Sequence, residues 1–214
     1  MEKIYRFVAW CVLVAAIFVG VARGLAIRWW QVPLGDPELS ASIAPSLGGG
    51  DWVLLWRLTR PGLGDLVMCP DPDDPTNVVI GRIAAEAHQT IVINGDDLTV
   101  DDKHFNIEYN CTEQAFSVTN PDSLKQEDLY CDMEDVGEKL HMRGYGGSKL
   151  RSTRKYKKTV GSGEVFLLSD NRAFPFDSRH YGVIERRTCT ETIFFRLVSA
   201  QGFLDVKTRL TTVR

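Results

Sequence analysis

A mainly β fold, with an inserted cap and one membrane-spanning helix in front of it, is the class this sequence predicts. Three observations predict it. The first 30 residues hold an unbroken apolar run, Phe7 to Ala22, set between Arg6 and Arg23. Beyond it, apolar runs of strand length alternate with Pro, Gly and Asp clusters, and no helical period competes. From Lys103 to Thr159 the alternation dissolves before strand-like runs resume. At 214 residues, 44% hydrophobic and 25% charged, the chain can bury one good core and a smaller subdomain. The expected division is an anchor over 1–30, a β core over 31–102 and 160–214, and a cap over 103–159.

The apolar run of 16 residues covers about 24 Å as a helix, short of a hydrocarbon core of roughly 30 Å. Snorkelling of Arg6 and Arg23, or inclusion of Gly24 to Ile27, makes up the difference. Trp29 and Trp30 then fall where an interfacial aromatic belt belongs. A cleavable secretory signal is the competing reading, given Lys3, Arg6 and the small residues near Ala22 to Ala26. Arg23 and the two Trp favour the anchor. Lys3 and Arg6 on one flank balance Arg23 and Arg28 on the other, so charge leaves the orientation open.

The core strands follow in order. Trp52 to Trp56 precedes PGLGD, Leu66 to Cys69 precedes PDPDDP, and Val78 to Ala84 leads to Thr90 to Asn94. TIVINGDDLTV reads as a hairpin, with Asn94 and Gly95 suited to positive φ. Glu164 to Leu168 and Ile193 to Val198 complete the sheet across the cap. Within the cap, the basic run Arg151 to Lys158 reads as a solvated loop in preference to a contact with an anionic membrane face.

A net charge of -3 excludes the strongly basic face that nucleic acid wants. No CxxC or His spacing suggests a metal, and no cofactor is expected. Of five Cys, Cys11 lies in the apolar run, and Cys69 and Cys189 lie in the apparent core. Cys111 and Cys131 flank an irregular polar stretch. In an oxidising compartment they can close a loop worth about 3 kcal/mol; two free thiols are the alternative.

Chemistry concentrates in two segments. SDNRAFPFDSRHYG, Ser169 to Gly182, sets Asp170, Asn171, Arg172, Asp177 and Arg179 directly after the apolar run Val165 to Leu168. Alternating carboxylates and guanidiniums there invite bidentate pairing at a buried polar junction. LSASIAPSL, Leu39 to Leu47, presents Ser40, Ser42 and Ser46 around Pro45.

Together the two segments resemble the type I signal peptidases, whose nucleophile run reads Ser-x-Ser-Met-x-Pro-Thr-Leu and whose late run reads Gly-Asp-Asn-Arg-x-x-Ser-x-Asp-Ser-Arg. Gly64, Asp65, Leu66 and Val67 stand at that family's Gly-Asp-Val-Val, and Arg82 stands in its Lys-Arg segment. The resemblance spans roughly Leu34 to Val198. It implies a signal-peptidase-like β core and Ser42 as nucleophile on an extended segment. Ser40 and the Ser42 N–H would form the oxyanion hole, and Arg82 would pair with Asp177 and Arg179. It also implies a cytoplasmic N-terminus, a domain on the external side of the cell membrane, and removal of signal peptides from exported preproteins laid along a strand edge.

Two positions depart from that family's pattern. Its general-base Lys is here Gly81, and the Ser that orients the Lys is here Pro175. Arg82 cannot substitute, because a guanidinium stays protonated. His88 has a suitable ordinary pKa and is the candidate base, with Lys103 and His104 of the cap behind it. Loss of a base lowers such catalysis by about a million-fold. The expectation is a membrane-bound serine endopeptidase with a relocated base. The alternatives are a pseudopeptidase that binds without cutting, and a dedicated maturation peptidase like the conjugative-transfer relatives of the family.

Overall fold

The computed structural model describes residues 2–105, 107–146 and 155–213. Helix α1 (Glu2–Leu25) runs 24 residues with none buried, and it is long and apolar enough to cross a membrane. It extends past the apolar run at its start, where Arg6 pairs with Glu2 one turn away at 2.7 Å. Strand β1 (Ile27–Gln31) begins two residues after α1 ends. The guanidinium of Arg23 lies 3.4 Å over the Trp29 ring across that junction.

A short helix, α2 (Pro37–Ser42), precedes β2 (Trp52–Trp56), β3 (Leu66–Pro70) and β4 (Val78–Glu86). Next come β5 (Thr90–Asn94), β6 (Asp97–Val100) and β7 (Lys103–Phe105), then the long strands β8 (Ile107–Thr119), β9 (Gln126–Val136) and β10 (Lys139–Tyr145). The chain closes with β11 (Tyr156–Thr159), β12 (Glu164–Leu168), α3 (Ser178–Tyr181), β13 (Ile184–Glu185), β14 (Glu191–Val198) and β15 (Thr211–Thr212). The eight-stranded sheet has the order β1-β2-β14-β3-β4-β12-β13, with β15 on β14. The expected core strands are therefore present, and β12 and β14 complete the sheet across the insertion.

The boundary of the cap differs from the expected 103–159. Only β8, β9 and β10 form a sheet of their own, whereas β7 and β11 join β5 and β6 in a four-stranded sheet. β7 pairs with β6 because Lys103 follows Val100 through a tight turn, and β11 returns onto β5. The β5–β6 hairpin forms as expected, with Gly95 at φ +64°.

Leu39, Ile43 and Leu47 recur at helical spacing and pack on Val53, Leu55 and Ile80 of the large sheet. Its opposite face buries Val67, Val79, Ile83 and Leu167. Gly64 (φ +78°) brings the core against the β9–β10 turn. A Cβ there would collide with the Val136 carbonyl oxygen, so glycine is required by both conformation and space. Two disulfides form. Cys111–Cys131 ties β8 to β9, and Cys69–Cys189 ties β3 to the segment before β14. The second was expected only as two core thiols; antiparallel β3 and β14 bring those distant positions together.

Candidate active site

Ser42 stands on a helix, not on the extended segment expected. Asp36 caps α2 by accepting the Leu39 N–H at 2.9 Å, and Pro37 enters the first turn, where its missing N–H goes unneeded. One side of this turn, Leu39 and Ile43, faces the large sheet. Ala41 and Ala44 face Val118 and Leu129 of the cap sheet, together with Phe174. Ser42 lies between the two layers at 0% exposure. Its hydroxyl donates to Leu39 O at 2.9 Å, a carbonyl that also accepts the Ile43 N–H.

Two residues apart on a helix, side chains point about 200° from each other. Ser40 accordingly turns its hydroxyl toward Gly49, where an added Cβ would strike it. The Ser40 hydroxyl, expected to join the Ser42 N–H as an oxyanion donor, thus points away from the Ser42 hydroxyl.

The late segment grips the end of α2. Asn171 donates its N–H to Ser42 O at 2.9 Å and its side-chain amide to Ala41 O at 2.8 Å. β10 of the cap crosses at the same point, with Gly144 N–H donating to Asp170 O and Arg172 N–H to Gly144 O. A side chain at Gly144 would approach the Phe116 ring to 2.8 Å and Ala44 O to 3.3 Å. Glycine thus lets the cap strand lie against the serine segment.

Arg82 chelates Asp170 at 2.7 and 3.0 Å and donates to Gly64 O. It does not pair with Asp177. The register explains this correction: Arg82 lies opposite Leu168, so Asp170, two residues on, continues the same face. Asp170 Oδ2, which takes one arm of Arg82, also accepts a very short bond from the Ser46 hydroxyl. Asp177 instead caps α3, accepts Ser169 N–H at 3.0 Å and takes both arms of Arg179 at 2.9 and 2.7 Å. Burial would raise the Asp177 pKa, but Arg179 and the backbone donors hold it below the ordinary carboxylate value.

Sequence reasoning missed the second half of this charged layer. Arg172 reaches across to Glu134 Oε2 at 2.5 Å, and Arg143 chelates Asp132 at 2.8 and 2.7 Å. His141 lies at 0% exposure, its Nε2 3.3 Å from Glu134 Oε2 and 3.9 Å from Asp170 Oδ1. A signal was present. Asp132 and Glu134 share one face of β9, and Arg143 and His141 stand directly opposite them on β10. Charge at every second residue within strand-length runs points to buried cross-strand pairing.

Burial works to raise the Glu134 pKa, but Arg172, His141 and Arg143 outweigh it and bring it to about 2. A depressed carboxylate stabilises the fold above its ordinary value and loses that contribution as pH falls from 4.5 toward 2. Glu134→Gln is expected to remove this acid limb from a stability-against-pH curve and to lower stability at pH 7.

The positions that depart from the resembled pattern are filled. Gly81 is buried opposite Val67; a Cβ there would lie 3.1 Å from Leu167 Cβ and 3.3 Å from Leu168 O. Pro175 lines a cavity of about 880 Å³ together with Glu38, Tyr156, Phe174 and Phe176; Ser42 is not among its lining residues. His88 is exposed in the β4–β5 turn at φ +70°, its N–H on Val160 O. Lys103 and His104 are exposed on β7. Among the described residues, none of these three hydrogen-bonds Ser42, so the expected relocated base is not assembled here. Of the basic run, 151–154 lies outside the described residues, and Lys155, Lys157 and Lys158 are exposed.

The fold is a mainly β domain behind one apolar helix, with a serine at the end of a capped helical turn held by the Asp170–Arg172 segment. The chain belongs to the signal peptidase family, peptidase S26, whose model matches residues 5–198. A crystal structure of a signal peptidase I from Enterococcus faecalis V583 is similar over 63% of this chain and 97% of its own, at 16% identity and a TM-score of 0.41. No curated protein matches the chain.

Proposed function

We propose that this protein is a non-hydrolysing member of the signal peptidase family. In this reading α1 anchors it in the cell membrane, its β domain stands on the external side, and it binds signal-peptide-bearing preproteins or a peptidase partner without cutting. The observation that carries the proposal is the state of Ser42: fully buried, with its hydroxyl given to the Leu39 carbonyl. A serine nucleophile needs a base to take its proton and an open approach for the carbonyl it attacks. Gly81 and Pro175 support the same reading, since the base and its orienting group are absent together. The two disulfides support an oxidising, external compartment.

The test is cleavage and capture of a preprotein by the purified full-length protein in detergent, across a pH series. No cleavage is expected from the parent, and Ser42→Ala should bind preprotein as the parent does. Gly81→Lys is expected to stay inactive and to lose about 1 to 3 kcal/mol of stability, because its stem must displace Leu167 and Ser42 remains closed. Cleavage by the parent that Ser42→Ala abolishes would overturn the proposal. It would favour the second reading, a signal-peptide-removing or single-substrate maturation peptidase. The scaffold of Asp170, Asn171 and Arg82 around the serine, fully bonded, is what speaks for that reading.

A further inference from the structure

Among the described residues, His141 is the side chain of the charged layer with no hydrogen bond at either of its polar atoms. It is completely enclosed, and among the described residues neither ring nitrogen has a hydrogen-bond partner of good geometry; Nε2 lies 3.3 Å from Glu134 Oε2. Such a group is costly to bury, and its place is the seam where cap meets core. Around it stand Glu134 on β9, Arg143 on its own strand, Arg82 on β4, and Asp170 and Arg172 on the late segment. Asp132 lies behind Arg143, and the Ser46 hydroxyl completes the ring of polar groups on Asp170. The Arg172–Glu134 pair and the Gly144 backbone bonds cross the same seam, and they hold the cap sheet over Ser42.

We propose that the seam around His141 is an acid-sensitive latch, which holds the cap sheet closed over Ser42 near neutral pH and releases it on acidification. This rests on the closed, non-hydrolysing reading of Ser42 given above and adds how that closure is regulated. Burial first, and then the Arg82 guanidinium, disfavour a proton on the enclosed ring; Glu134 and Asp170 favour one but do not prevail. Its proton affinity in the closed form therefore lies below the ordinary value of 6.5. Once the cap lifts, the ring meets water and regains that value. The sign follows: the closed form is fully favoured above 6.5, and it loses ground as pH falls below it. The other histidines of the chain, His88, His104 and His180, are exposed and lie off the seam.

Hydrogen exchange of the full-length protein in detergent, corrected for the intrinsic pH dependence of exchange, reads the opening directly. The opening constant of amides in β8, β9 and β10 is expected to rise between pH 7 and pH 5, by up to about 25-fold. Amides of β2, β3 and β14 should stay flat. His141→Met and His141→Gln should each abolish the rise, while His88→Ala should keep it. A flat parent, or an equal rise in both His141 variants, overturns the latch. If neither variant folds, the parent's slope decides. A rise that sets in as pH falls through 6.5, with a slope of at most about one decade per pH unit, is a single histidine's signature, and a response that begins only in the carboxylate range overturns the proposal. Preprotein cleavage is measured on the same samples. Cleavage appearing at pH 5 would overturn the non-hydrolysing reading while leaving the latch intact, and an unresponsive cap would do the reverse.

Discussion

Arg82→Met is expected to lower folding stability by about 3 to 5 kcal/mol, because it leaves a buried carboxylate without its cation. Asp170 has no exposed side-chain surface, and Arg82 supplies two of its bonds while bracing Gly64 O with a third donor. After the substitution Asp170 keeps, among the described residues, only the Ser46 hydroxyl as a direct bond, with His141 at 3.9 Å. Denaturant unfolding at pH 7 measures the loss. The control is the double variant Arg82→Met with Asp170→Leu, which removes both charges and should recover most of the stability. Recovery would show that the penalty lies in the stranded charge. Persistent loss in the double variant would place it in packing.

Replacing Cys69 and Cys189 together with Ser is expected to cost about 5 kcal/mol in the loop-entropy account, against about 3 kcal/mol for the Cys111 and Cys131 pair. The first bridge spans a sequence separation of 120 and the second a separation of 20, so the first restricts the unfolded chain more. Cys69 and Cys189 also lie in the buried cluster with Val79 and Ile184, where two hydroxyls would lack polar partners. Thermal unfolding of the two double variants, each with its remaining bridge oxidised, ranks them. A smaller loss for the longer bridge would mean that the large sheet already holds β3 and β14 without it.

The strands of the large sheet and of the β5–β6 hairpin are legible in the amino-acid sequence because each is a short apolar run closed by turn residues. Trp52 to Trp56 and Thr90 to Asn94 match to the residue. The helical turn of Ser42 is far less legible. Six residues, PELSAS, are too few to show a period, and the Asp36 cap with Pro37 is the only signal. Resemblance to the family pointed to the late segment beside Ser42, where the structure sets Asn171 on the Ser42 turn, but it assigned Arg82 to Asp177, whereas the guanidinium holds Asp170. Sequence spacing does not reveal strand register, and continuation along one face of β12 selects Asp170 over Asp177. The cap contributed least to the sequence reading and most to the site. Its acids and bases look like solvated charge until β9 and β10 are paired, when Glu134, His141 and Arg143 prove to be enclosed.

The junction of α1 with β1 sets how this protein meets anything else. Only Ala26 separates the helix from the first strand, and it is fastened on both sides, its N–H to Ala22 O and its carbonyl to the Arg57 N–H. Were α1 set in a bilayer, this junction would leave the β domain little slack with which to swing outward, and its search for partners would run mainly along the plane of the lipid. A partner arriving from solution would then have to come down to the membrane surface. Inserting a Gly-Ser stretch after Ala26 would exchange this lateral search for a volume around the stalk, without altering a residue of the domain.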